Sequence, residues 1–165
     1  RSLLVDWLES HPEDLPVRFE LAQFYLNTGL SDQAILQYEQ VLEKSPGNPV
    51  VLNNLAWLLQ ERDLKRALEY AQQAHAAAPK SADIADTLAM ILARSGETLE
   101  ARRMIDLALD LEADNASLLF HKAQILKQTG ERALAERTLE AALKSGRTFP
   151  ERAEAAALLR ELQGD

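Results

Sequence analysis

Apolar residues recur along this chain three and four positions apart, as in Leu21, Ala22 and Tyr25, then Ala34, Tyr38 and Val41. That spacing puts their side chains on one face of a helix. The stripes themselves repeat. Ala34, Ala67, Ala101 and Ala135 follow one another at separations of 33, 34 and 34. Ala22, Ala56, Ala89 and Ala123 keep almost the same beat, as do Val41, Ala74, Ala108 and Ala142. A helix pair at this period cannot bury its own apolar face, so neighbouring pairs must stack. Small side chains at matched places let helix backbones approach closely. The pattern predicts an all-α protein built as an α-solenoid of stacked antiparallel helix pairs.

Punctuation between the stripes divides the chain into units 15–48, 49–81, 82–115 and 116–148. In the first, Asp14 is a helix N-cap, Pro16 sits in the first turn, Gly29 closes the first helix and Pro46 stops the second. Asn48-Pro49 opens the next unit. There Arg62-Asp63 replaces the turn glycine and one residue is lost, which predicts a tighter hairpin. Gly96 and Gly130 mark the later turns, and Asp114-Asn115 must make the break where Ala113 replaces proline. Lys122 takes the place held by Leu21, Leu55 and Leu88, which predicts a looser last unit or a partly exposed first helix. A capping helix is expected over 149–163, with Ala153, Ala156, Ala157, Leu159 and Leu162 inward and Glu151, Arg152, Arg160 and Glu161 outward. Residues 1–13, with Leu3, Leu4, Trp7 and Leu8 at helical spacing and no start signal, read as the truncated helix of a preceding repeat. The chain is therefore expected to be a fragment of a longer array, and self-association through the truncated end is expected of it.

Composition narrows the function classes. The net charge of −8 lacks the clustered Lys and Arg that displace counterions from nucleic acid, so no nucleic-acid partner is expected. It equally disfavours a basic face on anionic lipid. No apolar run approaches the length of a membrane span, so direct membrane insertion by this segment is not expected. With no cysteine there are no disulfides or thiolate metal sites.

Leu21-Ala22, Tyr25, Ala34, Tyr38 and Pro46, with their counterparts in the later units, resemble tetratricopeptide (TPR) repeats. The departures are Lys122, Ala113, Ala71 and the lost residue of the second turn. The resemblance implies a right-handed superhelix whose first helices line a concave groove. Trp7-Leu8-Glu9-Ser10-His11-Pro12-Glu13-Asp14, Val51-Leu52-Asn53-Asn54-Leu55-Ala56-Trp57, Asp86-Thr87-Leu88 and Phe149-Pro150-Glu151-Arg152-Ala153-Glu154-Ala155 carry a narrower likeness. They resemble the C-terminal repeats of a bacterial tetratricopeptide lipoprotein of exosortase-type (PEP-CTERM) sorting and exopolysaccharide production. That implies the bacterial cell envelope, as a periplasm-facing lipoprotein of the outer membrane.

On this template the peptide-binding groove is lined by Phe19, Gln23, Asn53, Asn54, Trp57, Asp86, Thr87, Met90, Phe120, His121 and Gln124. Amides pair with the backbone of an extended peptide, and Trp57, Met90 and Phe120 offer apolar anchors. Of the Lys, Asn and Arg clamp with which related domains hold a C-terminal carboxylate, only Asn54 fits: its places hold Phe19, Gln23, Asn54, Asp83 and Thr87, and Asp83 and Asp86 would repel a carboxylate. Catalytic chemistry is not expected. His11, His75 and His121 lie at unrelated places in different units, with no metal-ligand spacing, nucleophile elbow or phosphate-cradling loop. No cofactor or metal is expected. The reading is a non-enzymatic scaffold for a protein or peptide partner. The alternative is a structural spacer or self-association segment of a larger envelope protein.

Overall fold

The structure is a computed structural model that describes residues 2–144 and 148–164. Arg1, and the end of the 116–148 unit at 145–147, lie outside the described residues. Among these the chain is entirely helical: α1 (Ser2–Ser10), α2 (Leu15–Asn27), α3 (Ser31–Lys44), α4 (Pro49–Leu59), α5 (Leu64–Ala77), α6 (Ala82–Ser95), α7 (Thr98–Leu111), α8 (Ala116–Gln128), α9 (Arg132–Lys144) and α10 (Arg152–Gln163). They group into two compact units, residues 1–77 and 78–165. In the first, each helix packs on the next from α1 to α5; in the second, α6 to α10 do the same, and α6 also meets α8.

The helix starts follow from local chemistry. The Asp14 carboxylate accepts from Val17 N at 3.2 Å. Asn48 accepts from Val50 N and Val51 N, and Asn115 from Ser117 N and Leu118 N. Each supplies an acceptor to N–H groups that have no partner within the helix. Asn115 thus makes the break that proline makes elsewhere. Gly96 ends α6 at φ 89°, where a side chain would be strained, and Glu97 N then donates to Leu92 O at 2.9 Å.

The α4–α5 hairpin differs from the expectation. The lost residue comes out of the helix, not the turn: α4 has 11 residues where α2, α6 and α8 have 13 or 14. With no glycine available at positive φ, the chain leaves α4 through right-handed Gln60, and Asp63 caps α5 by accepting from Arg66 N at 3.1 Å.

The core of the first unit gathers Leu8, Leu21, Ala22, Tyr25, Ala34, Tyr38, Val41, Val51, Leu55 and Leu58. The repeating alanines, among them Ala34, Ala56, Ala67 and Ala74, are fully enclosed, as close helix packing requires. The α1 stripe splits. Leu8 is buried and Leu4 half-buried, while Leu3 is 82% exposed.

In the second unit Leu88, Ile91, Ile105, Leu126 and Leu139 are buried. Here α10 closes over a cluster of Phe120, Ala123, Leu126, Ala135 and Leu139 with its Ala155 and Leu162. The inward stripe of α10 is Ala155, Leu158, Leu159 and Leu162; Ala153 and Ala157 are exposed, contrary to expectation. The helix begins at Arg152, and this stripe keeps the three-and-four spacing from there. Lys122 is accommodated rather than expelled: its ammonium meets Asp106 of α7 at 2.7 Å, and Arg102 bridges Asp106 to Glu131. Among the described residues no helix is long and apolar enough to cross a membrane.

Candidate functional site

The predicted groove residues fall into two sets, one per unit. On α2 and α4 of the first unit stand Phe19, Gln23, Asn53, Asn54 and Trp57. Phe19 packs edge-on against Tyr38, ring centroids 5.9 Å apart, so its ring forms a wall rather than a free anchor. Asn54 serves the fold as well as the surface: its amide donates to the Tyr38 hydroxyl at 3.0 Å. Burial pushes that phenol up to about 12, against the opposing hydrogen bond from Asn54 and with the help of the Glu20 charge. Tyr38 therefore stays neutral. The Asn53 side-chain oxygen is buried with no hydrogen-bond partner, an uncommon state that costs free energy until something donates to it.

Trp57 is 56% exposed near the end of α4. It borders an open depression of about 310 Å³ that it shares with Ser31, Leu58, Gln60, Glu61 and Arg62. Arg62 is held to Asp32 across that end of the unit. The predicted amides Gln23, Asn53 and Asn54 do not line that depression, so the indole is offered there apart from them.

In the second unit α6 carries Asp86, Thr87 and Met90, and α8 carries Phe120, His121 and Gln124. Phe120 corrects the expectation. It is 3% exposed and enclosed by α9 and α10, so it is core and no anchor for a ligand. The helix that follows it covers the face on which the template placed it. Met90, Thr87 and Gln124 are half-buried. The Thr87 hydroxyl turns back to Asp83 O at 3.0 Å.

Asp86 and His121 are brought together. The imidazole Nδ1 lies 2.8 and 2.9 Å from the two carboxylate oxygens, with about four-fifths of both side chains covered. Burial works against the imidazolium, but the hydrogen bond and charge of Asp86, with Glu151 at the N-cap of α10 and Glu154 within it, outweigh it and hold His121 above its ordinary value. Ser117, one turn earlier on α8, donates to Glu151 at 2.8 Å. This is a polar strap across α6, α8 and α10, and its chemistry is structural. Among the described residues no three His, Asp or Glu side chains are grouped to hold a metal ion.

The pairings Asp86–His121 and Asn54–Tyr38 were missed from sequence, although the first lies 35 residues apart, one beat plus one. Successive first helices lie side by side, so a place on one and the place one residue beyond its counterpart on the next can meet, and a spacing near the repeat length was the signal for that pair. The other histidines are dispersed: His11 stacks on Trp7 at 4.0 Å, and the Nδ1 of His75 is buried without a partner.

The tetratricopeptide repeat family model matches residues 15–48 and 116–145. Solved structures match over nearly the whole chain at low identity. A thermophilic TPR protein of Thermus thermophilus superposes with TM-score 0.78 at 19% identity, covering 99% of this chain and 89% of its own. MamA (41-end) of Desulfovibrio magneticus RS-1 gives 0.78 at 17%, covering 92% and 83%. YrrB, described as a TPR protein with an unusual peptide-binding site, gives 0.77 at 18%, covering 95% and 80%. No curated protein sequence matches. Residues 15–48 and 116–145 thus match the tetratricopeptide repeat, and the fold is the all-α array of helix pairs seen in those neighbours.

Proposed function

We propose that this chain is a non-enzymatic scaffold that holds an extended or helical segment of another protein against its first helices. Trp57 carries the reading. A large apolar side chain more than half exposed on a helix is poised to be covered by a partner. The fold does not need that exposure. A preformed surface lowers the ordering cost of binding, so affinity comes from a few anchors rather than from area. A structural neighbour of this chain is described as having a peptide-binding site, which accords with this use of the fold. The likeness of Asp86-Thr87-Leu88 and of the Phe149–Ala155 tail to an exosortase-associated lipoprotein suggests the setting: envelope protein sorting or exopolysaccharide export.

The experiment is selection of a random peptide library on the immobilised chain, followed by affinity measurement on Trp57→Ala. Selected peptides should lose at least about tenfold in affinity, or about 1.4 kcal/mol, while the variant keeps the helical signal of the parent. A library that yields no binder, or binders indifferent to Trp57, would overturn the proposal.

Self-association is the second reading, favoured by Leu3, which α1 leaves 82% exposed. It expects a dimer by light scattering that Leu3→Glu abolishes.

A further inference from the structure

The chemistry of the partner is legible at a second place in the first unit. An open depression of about 440 Å³ is walled by Leu15, Pro16 and Phe19 of α2, by Val41 near the end of α3, and by Val50 of α4, itself half exposed. Its volume falls within the range of about 300–1,000 Å³ typical of small-ligand pockets. Asn48 lines it too, with the side-chain oxygen committed to capping α4 and the amide N–H groups left uncommitted. Among the described residues, the only charged group lining it is Glu20, exposed on the rim. No described residue pairs with Glu20, whereas the nearby Arg18 is occupied by Pro12 O and Gln37, and Lys44 by Glu13. An apolar hollow with one unpaired carboxylate at its lip and a net-negative chain around it selects for an apolar group carried beside a positive charge.

We propose that this depression takes a leucine- or phenylalanine-sized side chain of the bound partner segment, with a lysine or arginine next to it pairing with Glu20. The inference rests on the scaffold function above and names the class of partner that function would serve: an apolar-basic peptide motif. The leucine covers Phe19 and Val50, and Asn48 donates to a backbone carbonyl of the segment. Selectivity comes from the carboxylate, because an acidic neighbour in the same place would meet Glu20 with like charge.

The test uses the full chain labelled with ¹⁵N and two capped hexapeptides, identical except that lysines flank a central leucine in one and glutamates in the other. The lysine peptide should shift the amide resonances of Glu20 and Val50 and bind about fivefold more tightly than the glutamate peptide at low salt, the range of an exposed ion pair. Glu20→Lys should reverse that preference. Val50→Asp should weaken both peptides while keeping the fold, since an acidic residue in the first turn of α4 is well tolerated there. Equal binding of the two peptides, or an unchanged preference in Glu20→Lys, overturns the inference. So does an absence of shifts at either residue up to millimolar peptide. Shifts confined to Gln23 and Trp57 would also overturn it while leaving the scaffold function standing, because that function fails only if library selection on the same chain yields nothing.

Discussion

Replacing Phe120 with alanine tests whether the last repeat is closed or open. Its ring is 3% exposed and touches a cluster drawn from three helices, with Leu126 on α8, Leu139 on α9 and Ala155 and Leu162 on α10. Deleting it removes the transfer free energy of a buried aromatic and leaves a void that three separately anchored helices close only in part. Such substitutions cost about 3–5 kcal/mol. With a urea slope of about 2 kcal/mol per molar, typical of a small domain, the midpoint falls by about 2 M. Far-UV circular dichroism during urea titration reads this loss over the whole chain. Both tryptophans, Trp7 and Trp57, lie in the first unit, so their fluorescence follows that unit separately. Trp57→Ala is the contrasting control, expected within about 0.5 kcal/mol of the parent because its side chain is largely in water. A loss below about 1 kcal/mol for Phe120→Ala would mean that its ring is not enclosed. The site would then return to the ligand-facing set, and α10 would not be a cap.

Two further outcomes follow from local geometry. His121 is held above its ordinary pKa, so its pairing with Asp86 stabilises the fold fully below about pH 6.5 and loses that contribution as pH rises through the raised folded value. Asp86→Asn should therefore unfold at lower urea than the parent near about pH 6 and converge on it at alkaline pH, and the His121 ring resonances should titrate at lower pH in the variant. Gly96→Ala should cost about 1–2 kcal/mol of stability by urea titration. Its φ of 89° strains an L side chain although no atom obstructs a Cβ, and an unchanged midpoint would contradict that conformation.

Helix count and pairing could be read from the chain because stacking demands small residues at fixed places, and Ala34, Ala67, Ala101 and Ala135 meet that demand at every turn of the array. Caps were legible for the same local reason: Asp14, Asn48 and Asn115 act within three residues of themselves. The ligand face was harder. One template place holds Phe19, Asn53, Asp86 and Phe120, and its burial depends on what the next helix lays against it, not on the residue's own neighbours in sequence. Phe120 is sealed by α10, Phe19 leans on Tyr38, and Asp86 is taken by His121. Trp57 stayed outside because the shortened α4 leaves it close to the turn, where little packs over it. Lys122 illustrates the converse. Its intrusion at an apolar place was visible, but its remedy, Asp106 on the preceding helix, depends on a pairing that only the folded chain displays.

The account turns on Trp57 being free in the unbound chain and covered when a segment binds. Acrylamide quenching in a Trp7→Phe background reads this single indole directly, with and without a saturating peptide from the library selection. Strong quenching that falls when the peptide is added is the expected result. An indole already shielded in the free chain, or one quenched equally with the peptide bound, would contradict the central claim.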